Sequence, residues 1–135
     1  MKPRGYRNAL IRYAAKASRK PFVWGKHDCA LFGAGWVQLQ TGKDPARGLR
    51  GRYSTAAGAF KHLRKLGYDN IGDLVADQGL EEIMPAFAQF GDLAVLEGDG
   101  EIGALGGVQG EGIYVLRPDG IGVMPLMSAR RAFRV

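Results

Sequence analysis

The chain has 135 residues, 46% of them hydrophobic and 24% charged, with a net charge of +6 and one cysteine. That composition supplies one core and predicts a single domain over 1–135, and it excludes a disordered tail, a coiled coil and a collagen-like chain. The single thiol excludes an internal disulfide and a cysteine-based zinc cluster, and no apolar run approaches the ~18–20 residues of a membrane span.

The charge is segregated along the chain. Residues 1–66 carry 15 Lys and Arg against only Asp28 and Asp44. Residues 67–116 carry ten acids and no Lys or Arg, and residues 117–135 return four Arg against Asp119. Two readings follow: the blocks pack together and cancel, or they leave a dipolar surface that docks onto oppositely charged neighbours. The apolar stretches near the N-terminus, broken by Arg12, are too short for a signal peptide, so synthesis in a cytoplasm is expected.

Residues 3–18 are predicted as a helix. Tyr6, Ala9, Leu10, Tyr13 and Ala14 recur with a 3.6-residue period, opposite Arg4, Arg7, Arg12 and Lys16. Pro21 ends it, because the residue before a proline avoids the helical region. A second helix is expected to open at Cys29 with Asp28 as its N-cap, and to close at Thr41-Gly42. Leu31, Phe32, Ala34, Trp36 and Leu39 make it broadly apolar, hence central. After a basic loop at 42–53, Ser54 or Thr55 caps a third helix to Leu66, with Phe60, Leu63 and Leu66 inward and Gly67 as the C′ residue. His62 reads as a solvated surface residue. A short helical pattern covers 71–76, and Ile83-Met84-Pro85 reads as a break.

Past residue 90 the pattern changes. Short Val-, Ile- and Leu-rich runs at 93–96, 104–108, 113–116 and 121–125 alternate with turns at Asp99-Gly100, Gly110-Glu111-Gly112 and Asp119-Gly120. They predict an antiparallel meander of three or four strands, with 132–135 as an added edge strand. The expected class is α+β: helices in 1–90 packed on one face of a small antiparallel sheet in 91–135.

One segment carries chemistry. Pro21-Phe22-Val23-Trp24-Gly25-Lys26-His27-Asp28-Cys29 puts the only thiol on the first turn of a buried helix. A helix N-terminus favours a thiolate, and Lys26 and His27 add positive potential, which is what a nucleophilic cysteine needs. The competing reading is that Cys29 only packs, as buried cysteines often do. His27, Asp28 and Cys29 are consecutive and cannot comfortably share one ion, so no metal and no other cofactor is expected.

Trp24-Gly25, then Asp28-Cys29 opening a central helix, then Gly91-Asp92-Leu93 entering a small sheet, resembles the NlpC-type, papain-like cell-wall endopeptidases. The closing run from Arg117-Pro118-Asp119-Gly120 to Arg131-Ala132-Phe133-Arg134-Val135 is similar to a small relative encoded in tailed-phage and prophage tail modules. The resemblance implies a papain-like fold, with Cys29 as nucleophile. The family's general base is a histidine opening the strand after Gly-Asp-Leu, and Ala104 stands at that position. The family's orienting polar residue lies on the following strand, where Tyr114 is the polar residue, and Phe22 replaces a tyrosine of the family's Pro-Tyr-x-Trp-Gly pattern. His27, two residues before Cys29, is the remaining candidate base, while alanine cannot protonate a leaving amine.

The expected function is therefore a structural component of a phage tail tip or baseplate, made in the host cytoplasm, assembled into the virion tail and catalytically degenerate. Its partners would be other tail proteins met through charged surfaces. The alternative is an active cysteine endopeptidase cutting peptidoglycan stem peptides. A nucleic-acid binder using the basic block is disfavoured by the acidic segment and by the lack of a reading motif.

Overall fold

A computed structural model describes residues 2–98 and 100–135. Four helices precede all of the strands: α1 Tyr6–Ser18, α2 Cys29–Thr41, α3 Ala56–Lys65 and α4 Ile71–Ala76. The strands are β1 Glu81–Ile83, β2 Leu93–Leu96, β3 Ala104–Val108, β4 Gly112–Arg117, β5 Gly120–Pro125 and β6 Arg131–Arg134. They form one sheet in the order β1-β6-β2-β3-β4-β5, with every pair antiparallel. The class is α+β, as expected. Among the described residues no helix is long and apolar enough to cross a membrane.

α2 is central because its sequence leaves it no polar face over most of its length. Nine of its 13 residues are buried. Asp28 caps its start, and Gly42, at φ 79°, caps its end with its N–H on the Gln38 carbonyl. Its approach to β3 requires Gly33: a Cβ there would stand 2.3 Å from the Leu105 Cβ. Leu93, Val95, Leu105 and Phe133 of the sheet pack on Leu31, Ala34 and Val37 of α2, with Leu63 of α3 and Leu74 of α4. Leu10, Ala14 and Ala17 of α1 close a second cluster on Phe32, Trp36 and Leu116.

Several expectations need correction. The sheet has six strands, where a meander of three or four with an added edge strand was expected, and the strand not foreseen is β1. Ile83, expected in a break, ends β1 and pairs with Ala132. β6 is no edge strand: Phe133 pairs with Glu82 on one side and Leu93 on the other. The four helices pack on one face, as expected, but the opposite face is not bare. Ala94, Leu96, Ala104, Val108, Ile113, Val115 and Ala132 form a second buried layer, under Phe22, Trp24, Leu126 and Ala129. That explains why β2 and β3 are buried at every residue, where one-sided strands would alternate. α1 starts at Tyr6, behind a left-handed Gly5, and not at residue 3. Thr55 caps α3, but Leu66 is its exposed C-cap and not an inward residue. Asp99 of the expected Asp99-Gly100 turn lies outside the described residues.

Candidate functional site

The segment before α2 is a closed turn. Val23 and His27 exchange two backbone hydrogen bonds, each 2.8 Å. Gly25 sits between them at φ +88°, and a Cβ there would fall 2.0 Å from the Tyr53 carbonyl oxygen, so only glycine fits. Its carbonyl accepts from Gly51 N–H at 2.8 Å, which ties the turn to the basic loop.

Asp28 is fully buried and accepts four hydrogen bonds. Oδ1 takes the N–H groups of Ala30 and Leu31 at 3.0 and 2.9 Å. Oδ2 takes Gly25 N–H at 2.9 Å and the Tyr53 hydroxyl at 2.7 Å. The carboxylate thus joins the helix end, the turn and the basic loop. Burial, then the Asp28 charge and hydrogen bond, raise the Tyr53 phenol above its ordinary value, keeping it a donor.

Cys29 is the first residue of α2 and has no exposed surface. Its Sγ–H donates to the Gly103 carbonyl at 3.3 Å. The side chain packs in the layer that holds Leu96, Ala104 and Val115. A small cleft of about 150 Å³ borders it, lined also by Glu97, Gly98, Val115, Leu116 and Arg117. Ala104 and Cys29, 75 positions apart, are therefore brought into one apolar cluster.

The other residues singled out in the sequence go elsewhere. His27 Nε2 lies 2.9 Å from the Ala17 carbonyl oxygen, turned toward the end of α1. His62 is half-buried rather than solvated, its Nε2 3.0 Å from the Gly48 carbonyl oxygen. Tyr114 packs edge-on against Trp36, ring centroids 6.1 Å apart, in the α1–α2 cluster and not in that of Cys29. Phe22 sits edge-on to Trp24 with ring centroids 5.0 Å apart.

Sequence reasoning missed Tyr53, the Gly103 carbonyl and the part played by Asp92. Asp92 is buried and accepts from Gln89 N–H at 2.8 Å and Val135 N–H at 3.1 Å, anchoring the end of β6. Gly91-Asp92 had marked only a family pattern. Nothing in the local sequence marks Tyr53, which lies in an aperiodic loop.

Charge pairing is uneven. Of the 15 Lys and Arg in residues 1–66, only Arg50, with Asp44 at 2.8 Å, and Arg64, with Asp69 at 3.7 Å, form ion pairs among the described residues. The acidic block is met mainly by the C-terminal arginines: Arg131 joins Asp73 and Glu82 at 2.8 Å each, and Arg130 joins Glu97. The N-terminal basic block is not cancelled by the acids that follow it. Among the described residues no group of three or more His, Cys, Asp or Glu could hold a metal ion.

No curated protein and no solved structure matches the chain. A family model described as a domain of unknown function, DUF6950, matches residues 1–135, and the chain belongs to that family.

Proposed function

We propose that this chain is an assembly component without peptidase activity, built on a papain-like, NlpC-type scaffold. The resemblance in its sequence gives the setting: the tail tip or baseplate of a tailed phage, with synthesis in the host cytoplasm and incorporation into the virion tail. The observation that carries the reading is the state of Cys29. Its sulfur has no exposed surface, and its hydrogen is directed at the Gly103 carbonyl. A peptidase of this type needs a thiolate that meets a substrate carbonyl, with an acid to protonate the leaving amine. Here Ala104 occupies the position of the family's base, and each imidazole stands against a backbone carbonyl elsewhere.

The uncancelled cations supply the second support. Exposed Lys and Arg that form no ion pair among the described residues suit docking to neighbours of opposite charge, where complementarity sets orientation and rate of association.

Alkylation of Cys29 tests the reading, since the chain offers one thiol to follow. Iodoacetamide is expected to modify the native protein only as fast as it unfolds, and to react at once in denaturant. Rapid native alkylation, with a thiolate titrating well below the ordinary ~8.5, would overturn it. Release of stem-peptide fragments from purified peptidoglycan would then be sought.

A further inference from the structure

We propose that the groove between α1 and α2 binds an oxyanion of the phosphate class. The groove has a volume of about 390 Å³. Its cationic lining comes from three separate places: Lys16 and Lys20 at the end of α1, Lys26 on the closed turn, and Arg50 in the basic loop. No Asp or Glu is among its described lining residues. Chain segments far apart in sequence thus converge cations on one concave site, which a solvated helix face would not do.

The site is also preformed. Its floor is Tyr13, Leu31 and Gly35. Tyr13 stacks on Phe32 and donates to the Phe32 carbonyl at 2.6 Å. That approach depends on Gly35, because a Cβ there would fall 2.2 Å from the Tyr13 hydroxyl. The turn bearing Lys26 is fixed by the Val23–His27 exchange and by the Gly51 N–H on the Gly25 carbonyl. The ring of His27 is held by its contact with the Ala17 carbonyl. Such groups lose little freedom when a ligand arrives.

Arg50 adds a second kind of observation. Its Nε is satisfied by Asp44 at 2.8 Å, but its Nη2 is buried with no hydrogen-bond partner among the described residues. Arg50 therefore contributes its charge to the lining, Nη2 having no accessible surface, while the lysine ammonium groups, which form no ion pair among the described residues, supply the donors that a tetrahedral oxyanion accepts. The proposal goes beyond the reading of Cys29 and does not depend on it.

The test is an amide-resolved NMR titration of the whole chain with inorganic pyrophosphate, at low and at physiological salt. Saturable shifts are expected for residues 13–20, 26–27, 31–39 and 50. Lys20→Gln and Lys26→Gln should each weaken binding about three- to fivefold, the range of one exposed charge contact. Lys61→Gln, on α3, should leave it unchanged. The proposal would be overturned by shifts spread evenly over all basic surfaces, by unchanged affinity in both groove variants, or by citrate binding as tightly as pyrophosphate at equal ionic strength. Retention of a single-stranded oligonucleotide without pyrophosphate binding would also overturn it, in favour of a nucleic-acid backbone. The groove variants stay measurable because Lys20 and Lys26 are exposed and carry no packing.

Discussion

Replacing Asp28 tests the fold and the candidate site together. Its carboxylate is buried and serves four donors: the N–H groups of Gly25, Ala30 and Leu31, and the Tyr53 hydroxyl. In Asp28→Ala the two helix-end donors lose their cap, at a cost of ~1–2 kcal/mol. The other two become buried donors without an acceptor, at ~1–3 kcal/mol each. Part of this is offset because a carboxylate no longer has to be buried. The net expectation is about 3–5 kcal/mol, a large share of the ~5–15 kcal/mol that holds a domain of this kind together. Asp28→Asn is the variant that should still fold. It keeps one oxygen for the helix end and presents N–H to the Gly25 N–H, while the Tyr53 hydroxyl can turn and accept, so about 2–3 kcal/mol is expected. Urea unfolding of the wild type, Asp28→Asn, Tyr53→Phe and the double variant gives the coupling directly. The two substitutions should interact by about 1 kcal/mol or more, because they act on the same hydrogen bond, reversed in Asp28→Asn and absent in Tyr53→Phe. An Asp28→Ala protein within 1 kcal/mol of wild type, or a cycle additive within ~0.5 kcal/mol, would refute the reasoning.

Two further expectations rest on packing and titration. Gly33→Ala should cost about 3 kcal/mol by chemical denaturation, because the added carbon meets the Leu105 Cβ at 2.3 Å and its carbonyl oxygen at 2.7 Å. Gly48→Ala, whose nearest neighbour is the Leu66 Cδ1 at 3.4 Å, should stay within ~0.5 kcal/mol, and equal losses would remove the α2–β3 contact as the cause. Burial raises the phenols of Tyr13 and Tyr53 above the ordinary value of about 10. Above that pH the unfolded chain releases protons that the folded chain keeps, so stability is intact below pH ~10 and falls as pH rises, by up to ~1.4 kcal/mol per unit for each tyrosine. Phenolate absorbance should therefore show two of the five tyrosines ionising only with unfolding, and five ionising together in a folded protein would contradict this.

The legible parts of the fold were those written locally. α2 announced itself through Asp28, a nearly unbroken apolar stretch and Gly42. Strands β2 to β5 showed as apolar runs between glycine-containing turns. The place of β6 was not legible. Its partners, Glu81–Ile83 and Leu93–Leu96, are chosen by non-local pairing, and β1 offers one apolar residue in three. Likewise the second buried layer is assembled from Phe22 and Trp24 at one end of the chain and Leu126 and Ala129 at the other. No period within a single segment can express that. The burial of the thiol belongs to this class, because the carbonyl that receives its hydrogen comes from Gly103, 74 residues later.

His27, Asp28 and Cys29 show why adjacency in sequence misled about the site. A helix N-cap is extended, and Asp28, at φ −137° and ψ −177°, separates a closed turn from the first helical residue. His27 still belongs to the turn and faces the end of α1. Asp28 folds back on the helix it caps. Cys29 already follows the helix and enters the sheet's buried layer. Three neighbouring polar residues therefore serve three places: a cationic groove, a buried junction and an apolar core. The groove and the thiol share a backbone segment but no side-chain environment. A charge change at Lys26 should then leave Cys29 alkylation untouched, and modification of Cys29 in denaturant says nothing about what the groove binds.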